Sequence, residues 1–137
     1  MKVILNKCYG GFGVSDAGYR LYAQKKGIDL FAYAFEGYSC SRYVRVDKPC
    51  NDKSMLNYFT SDFGKHVGKD GLDWKKALYL NEGYRDDPVL IEVVEELGSA
   101  ADGAYAKLKV VDIPDGLDYV INDYDGIERL HQRVREW

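Results

Sequence analysis

The alternation of apolar and polar positions predicts β-strands in the first part of the chain and again toward its end. Runs rich in β-branched and aromatic residues, bounded by glycine, proline or aspartate, are typical of strands. These runs cover residues 2–6, 28–36, 42–47, 106–114 and 117–126. In the run 28–36 both faces are apolar or aromatic, which indicates a strand that is covered on both sides.

Two segments carry the signals of helices instead. Ser15 is a suitable N-cap for a helix over residues 16–26, and Gly27 follows as a typical C-terminal stop. The sequence DPVLIEVVEELG, residues 87–98, begins with a capping aspartate and a proline at the first helical position. Its apolar residues recur at helical spacing and its glutamates lie between them, so we predict an amphipathic helix with an acidic, solvated face.

The segment after Asp125-Gly126 fits two patterns. Read as a helix, residues 127–137 would carry an apolar stripe. Read as a strand, they would place four basic side chains on one face, namely Arg129, His131, Arg133 and Arg135. An Asp-Gly pair between alternating runs is a strong hairpin signal. We therefore predict a strand and keep the helix as the alternative.

These elements together predict an α+β fold, with a mostly antiparallel sheet and two main helices in a single compact domain over residues 1–137. Residues 50–84 are polar, rich in glycine and hard to assign. We expect a less regular excursion there, with short helical pieces near 53–60 and 73–79. Such an excursion fits a functional lid and a peripheral decoration equally well.

Composition excludes several classes of protein. The formal net charge of −3 argues against binding of bulk nucleic acid by the whole surface. The three cysteines form no Cys-x-x-Cys pair, which argues against a disulfide framework or a zinc ribbon. The apolar run at residues 3–5 is too short for a signal peptide, and no apolar run reaches membrane-spanning length. We expect a soluble cytoplasmic protein that does not bind membranes.

The sequence NKCYGGFGVSDAGYR, residues 6–20, is the first candidate site. A strand followed by glycines and a helix N-terminus can bind an anion, because backbone N–H groups and the helix dipole point at it. Lys7 could add a full positive charge. The spacing matches neither of the two standard phosphate-loop motifs, however. Glycines also serve tight turns, and both interpretations remain open.

The basic residues after Asp125 are the second candidate site. On one face of a strand they could bind phosphates, since arginine forms bidentate contacts with them. The alternative is a solvated ridge whose charge is balanced by Asp123, Glu128 and Glu136. Trp137 could stack on a base, or it could cover the core or an oligomer contact.

Catalytic chemistry has weaker support. His66 and His131 belong to no metal-binding motif, so we expect neither a metal nor a cofactor. A nucleophilic pair of Cys8 and His131 is conceivable. Cys8 beside a glycine turn is more typical of a small buried residue.

Five separated motifs occur together in this chain. They are KCYGGFG near its start, R-x-D-P before a helix, AKLKVV-x-IPD, Y-D-G and a final R-x-W. They lie at Lys7–Ser15, Arg85–Gly98, Ala106–Asp115, Tyr124–Gly126 and Arg135–Trp137. In this combination they make the chain resemble a widespread family of small bacteriophage proteins, and the resemblance covers most of the chain outside residues 28–84.

Two departures distinguish this chain from that family. Similar proteins tend to have a histidine at the position of Val134 and often an aromatic residue at the position of Arg129. The segment 50–84 is also longer than usual. The family carries no established activity, so the resemblance implies a setting rather than a reaction.

The resemblance implies a phage origin, which favours an action on host machinery. We expect a non-enzymatic counter-defence protein that binds and sequesters a phosphate-bearing small ligand, such as a nucleotide immune signal, and that forms a homo-oligomer. The first alternative is a protein–protein inhibitor of a host or defence protein, and the second is a small phosphodiesterase or hydrolase. The residues expected to bind the ligand are Lys7, Tyr9, Gly10, Gly11, Phe12, Gly13, Ser15, Arg85, Arg129, His131, Arg135 and Trp137.

Overall fold

The computed structural model describes residues 1–36, 42–49, 56–114 and 119–132. The predicted α+β class is confirmed, since antiparallel strands combine with two α-helices in this part of the chain. The elements in chain order are β1 (Lys2–Asn6), α1 (Asp16–Lys26), β2 (Phe31–Glu36), β3 (Arg42–Val46), β4 (Asn57–Phe59), β5 (His66–Gly68), β6 (Ala77–Leu78), α2 (Pro88–Leu97), β7 (Leu108–Asp112), β8 (Tyr119–Tyr124) and β9 (Ile127–Gln132).

Five of the strands form an antiparallel sheet in the order β5-β3-β2-β4-β6. Three of these strands come from residues 56–84, and they are short, with three, three and two residues. A 3-10 helix at Trp74–Lys76 lies within the range 73–79, where a helical piece was predicted. The helical piece predicted near 53–60 is wrong at β4, where Phe59 pairs with Phe31 of β2. This pairing joins residues far apart in sequence, and local propensity cannot reveal it.

The two faces of this sheet pack against different parts of the chain. One face joins the main core, to which both helices and β1 contribute. The other face carries a second apolar cluster that the segment between β4 and β6 helps to cover. The buried members of this second cluster are Tyr33, Phe59, Val67 and Leu72. The run 28–36 was predicted to be covered on both sides, and β2 confirms that prediction.

The helix boundaries follow the predicted signals closely. The Ser15 hydroxyl accepts a hydrogen bond from the Gly18 amide at 3.1 Å, and Gly27 ends α1 with φ 68°. The Asp87 carboxylate accepts from the amides of the second and third residues that follow it, which begins α2 with Pro88 at its first position. Local capping chemistry therefore determines where both helices start.

A pair of tyrosines links α1 to the five-stranded sheet. The rings of Tyr19 and Tyr58 stack with centroids 3.8 Å apart and planes 9° from parallel. The Tyr19 hydroxyl accepts from the Leu80 amide at 2.9 Å, and the Tyr58 hydroxyl donates to Asp16 at 2.8 Å. Burial raises the pKa of Tyr19 to about 12. The main core thus consists mostly of apolar contacts, and the hydroxyls of these two tyrosines within it are both hydrogen-bonded.

The remaining strands form two short antiparallel ribbons, β1-β7 and β8-β9. Asp125 (φ 50°) and Gly126 (φ 93°) form the turn between β8 and β9, as expected for a two-residue hairpin loop. The strand prediction for the residues after this turn is confirmed as far as Gln132. The predicted basic residues Arg133 and Arg135, together with Trp137, lie outside the described residues.

Candidate functional site

One edge of β1 is bonded to side chains and to a loop, whereas the other pairs with β7. The Ile4 amide donates to the Arg85 carbonyl at 2.8 Å, and the Arg85 guanidinium donates back to the Ile4 carbonyl at 3.2 Å. The Asn6 amide donates to Glu128 at 2.8 Å. Arg85 and Glu128 therefore take the place of a neighbouring strand along this edge and satisfy backbone groups that would otherwise be left unpaired.

Arg85 and Glu128 also bind each other through two hydrogen bonds. The distances are 3.2 Å for Nη1–Oε1 and 2.6 Å for Nη2–Oε2. The two side chains are only 16% and 6% exposed, and the guanidinium lies 5.7 Å from the ring centroid of Phe12. Glu128 was expected to balance surface charge, and that interpretation is wrong. Strand alternation turns Glu128 inward while the neighbouring Arg129 faces solvent.

Asn6 is the second polar residue of this buried cluster, and it is fully buried. Its side-chain amide donates to the carbonyls of Cys8 at 2.9 Å and Gly126 at 2.7 Å. Its side-chain carbonyl accepts from the Lys107 amide at 2.9 Å. A single side chain thus joins the glycine loop, the hairpin turn and the approach to β7. We call Asn6, Arg85 and Glu128 the polar node.

The glycine loop packs backbone to backbone against the hairpin turn. The Gly10 amide donates to the Asp125 carbonyl at 3.1 Å. A Cβ added at Gly126 would overlap the amide nitrogens of both Gly10 and Gly11. Lys7 donates its ammonium group to the Glu128 carbonyl at 2.7 Å. The glycines therefore serve a close internal contact, and the amide of Gly10 is already used within the protein.

The end of the loop is held by residues 100–103 in a similar way. Gly13 accepts from the Gly103 amide at 3.0 Å, and its backbone is close enough that a side chain at position 103 would overlap it. The Ser15 amide donates to the Ala101 carbonyl at 2.9 Å, and its hydroxyl donates to the Ala100 carbonyl at 2.6 Å. Residues 100 and 101 thus hold the N-cap residue of α1 in place.

Three exposed tyrosines lie around this contact between loop and turn. Tyr9 precedes Gly10 and is 60% exposed, and Tyr124 precedes Asp125 and is 77% exposed. Tyr105 is 71% exposed, and its Cβ would lie 2.7 Å from a side-chain carbon placed on Gly10. Tyr105 was not among the predicted site residues, because only the fold brings residue 105 next to residue 10.

The outward side of the hairpin continues from these tyrosines. Its opposed pairs are Tyr124 with Ile127, Asn122 with Arg129, and Val120 with His131. Arg129 and His131 are both exposed. This outer hairpin face therefore combines an aromatic ring, a guanidinium group and an imidazole on a single strand pair.

The predicted site residues fall into two groups in the structure. The first group makes contacts inside the protein. At the polar node and the hairpin turn it consists of Lys7, Gly10, Phe12 and Arg85, and along the rest of the glycine loop it consists of Gly11, Gly13 and Ser15. Tyr9, Arg129 and His131 are exposed. Arg135 and Trp137 lie outside the described residues. Four of the five motifs that carry the family resemblance thus meet around the polar node.

The arrangement gives little support to catalysis by Cys8 and His131. Cys8 is a free, half-buried thiol in the stretch held by Asn6 next to Gly126. His131 lies five residues further along β9 than Gly126, which corresponds to about 16 Å of extended strand. Within the described residues, no three His, Cys, Asp or Glu side chains form a group that could hold a metal ion.

Among the described residues, no helix combines the length and the apolar character needed to cross a membrane. Comparisons of the chain with protein-family models, with curated proteins and with solved structures give no match.

Proposed function

We propose that the protein is a non-enzymatic phage counter-defence protein that sequesters a phosphate-bearing small ligand, such as a nucleotide immune signal, in the cytoplasm of the host bacterium. One observation carries the proposal. Exposed Tyr9, Tyr105 and Tyr124 lie around the close backbone contact between the loop and the turn, next to the outer hairpin face with Arg129 and His131.

Each part of this surface suits one part of a nucleotide. A tyrosine ring can stack on any of the bases, and each stacked base contributes about 1–3 kcal/mol to the binding free energy. A guanidinium binds a phosphate through two parallel hydrogen bonds. We assign the proposed phosphate contact to Arg129 rather than to the glycine loop, because Gly10 and Arg85 already have partners inside the protein.

The polar node has a supporting role in this proposal. It fixes the hairpin against the glycine loop, so the backbone positions of Tyr9, Tyr124 and Arg129 are set relative to one another before a ligand arrives. A site whose backbone is already ordered loses less conformational entropy on binding, which raises affinity without a further contact.

The direct test is ligand capture by the purified protein. The protein is incubated with a mixture of cyclic dinucleotides and ADP-ribose derivatives, separated from free ligand and denatured, and the released compounds are identified by mass spectrometry. We expect one nucleotide class to be retained and recovered intact. Altered compounds would indicate an enzyme, and no retention at micromolar protein would contradict the proposal.

Matched variants locate the site. Arg129→Ala should weaken binding at least about tenfold, because it removes a charge-assisted contact of about 1.5–3 kcal/mol. Arg42→Ala is its control, since the Arg42 side chain is 42% exposed and pairs with Glu36 on the five-stranded sheet. Tyr105→Ala is compared with Tyr79→Ala, because both tyrosines are 71% exposed and Tyr79 lies after β6. If both variants of each pair change the ligand affinity equally, the ligand does not bind at the outer hairpin face and its tyrosines.

A second candidate function, inhibition of a host or defence protein, has its own supporting observation. Phe35 and Trp74 are 53% and 52% exposed, and both rings contact Tyr43, at centroid distances of 5.1 and 6.2 Å. Exposed aromatic clusters are enriched at protein interfaces. Capture of one host protein by the wild type but not by a Trp74→Ala variant, with no nucleotide retained, would favour this function.

A further inference from the structure

Among the residues that the structure describes, the outer edge of β8 has no strand beside it. Within the described residues β8 pairs with β9 alone, and its outward backbone groups have no hydrogen-bond partner. The pair Tyr124 and Ile127 closes the two-residue turn, so alternation of the ladder directs the N–H and C=O groups of Tyr119, Ile121 and Asp123 away from β9. The same alternation explains why the Glu128 carbonyl points away from β8 and accepts from Lys7.

We propose that β8 pairs antiparallel with β8 of a second copy of this chain, around a two-fold axis at Ile121. In this register Ile121 lies opposite Ile121 of the second copy, and Tyr119 lies opposite Asp123. All outward N–H and C=O groups of these residues then find partners across the interface. The result is a four-stranded sheet, which is more stable than an isolated two-stranded hairpin.

Side-chain chemistry selects this register over its neighbour. Pairing centred on Ile121 places the Asp123 carboxylate against the Tyr119 hydroxyl, which can donate to it. Pairing centred on Asp123 would place two carboxylates directly opposite each other, and like charges at such positions are destabilising. The strand is therefore complementary to itself in the alignment centred on Ile121, as a two-fold interface requires.

The dimer would bring two outer hairpin faces into one continuous surface. Arg129 and His131 of both copies would lie on the same side of the four-stranded sheet, because opposed residues of paired strands share a face. This interface is inferred from the strand edge alone, and it does not depend on the proposed ligand.

Sedimentation velocity across a range of protein concentrations tests the proposal. We expect a concentration-dependent monomer–dimer equilibrium for the wild type. Ile121→Asp should weaken dimerisation at least about tenfold, because the register places the two new carboxylates opposite each other. A wild-type chain that stays monomeric at about 1 mM would overturn the proposal.

A charge reversal at Tyr119 tests the register itself and remains informative if Ile121→Asp fails to fold. Tyr119→Lys should strengthen the dimer and Tyr119→Glu should weaken it, with dissociation constants about tenfold apart, because each dimer contains two contacts with Asp123. High salt should reduce the difference. The same changes at Asn122 are the control, since Asn122 lies opposite Val120 and should show less than about a twofold difference. A dimer that responds to neither Ile121→Asp nor the sign of the charge at 119 would overturn the proposal.

Discussion

The five-stranded sheet and the β8-β9 hairpin are attached to the rest of the protein by opposite means. The sheet packs on both helices through a broad apolar cluster that includes Ala32, Tyr58 and Leu78. Among the described residues, neither apolar cluster includes a residue of the hairpin. The hairpin is held instead by the polar node and by the close approach of its turn to the glycine loop.

This difference predicts different responses to substitution. An apolar interface spreads its stabilisation over many contacts, and similar side chains can replace one another at modest cost. A buried ion pair depends on both partners, because removal of one leaves the other desolvated and uncompensated. The hairpin should therefore be sensitive to single substitutions that the sheet would tolerate.

The largest effect is expected for Arg85→Ala. It leaves Glu128 buried without its charged partner and should lower the free energy of unfolding by about 3–5 kcal/mol, measured by chemical denaturation. Arg42→Ala, which breaks the exposed pair with Glu36, should cost less than about 1 kcal/mol. Amide exchange should accelerate first in residues 119–132.

A double substitution sharpens this prediction. Arg85→Met combined with Glu128→Leu removes both charges, so it should cost less than the sum of the single changes. If Arg85→Ala costs no more than Arg42→Ala, the hairpin is held by other contacts and the comparison fails.

Gly126→Ala should have the next largest effect. The substitution forces a side chain into a left-handed backbone conformation, with its Cβ overlapping the loop amides, and should cost about 2–4 kcal/mol. Gly27→Ala is the control, because Gly27 also has a positive φ but open space around it. That variant should cost about 1–2 kcal/mol by thermal or chemical unfolding. If the two variants lose the same free energy of unfolding, the hairpin turn is not in close contact with the glycine loop.

A pH titration examines the sheet side of the comparison. The pKa of Tyr19 is raised by burial from 10.0 to about 12, so the folded state holds the Tyr19 proton more tightly than the unfolded state. This contribution is complete below pH 10 and is lost as the pH rises to about 12, by on the order of 2–3 kcal/mol. The free energy of unfolding, measured from pH 9 to 12, should fall less steeply in Tyr19→Phe than in the wild type. Parallel curves would contradict the assignment.

The smallest effect is expected at Asp62, which is largely solvated. The hydrogen bond from the Gly64 amide, followed by the nearby Arg45 guanidinium, lowers the pKa of the Asp62 carboxyl below 3.8. Its stabilising contribution is present above that value and is lost as the pH falls through the lower folded-state pKa. Below pH 4 the free energy of unfolding of Asp62→Asn should fall less steeply than that of the wild type. Equal slopes for the two proteins in this range would refute the prediction.

Locally encoded features of the fold could be predicted from the sequence. Ser15, Pro88 and Asp125-Gly126 act on their immediate neighbours, so both helices and the hairpin turn follow from adjacent residues. The partner of β4 could not be predicted in this way, because residues 59 and 31 meet only in the folded sheet.

The candidate site shows the same limit. The glycine loop and Arg85 stood out in the sequence, but their roles depend on Glu128, which is 43 residues from Arg85 along the chain. The sequence carries one signal of the buried role of Glu128. Strand alternation in β9 separates Glu128 from Arg129, so the two could not both belong to one solvated ridge.

The polar node also has a consequence for the order of events during synthesis. β1 leaves the ribosome before both of its partners at this edge, since its bonds to Arg85 and Glu128 span 81 and 122 residues. Contacts of such long range close late, because the entropy of loop closure must be overcome first. Until residue 128 emerges, this edge of β1 is incomplete, and the nascent chain presents a strand edge that chaperones or other chains can bind.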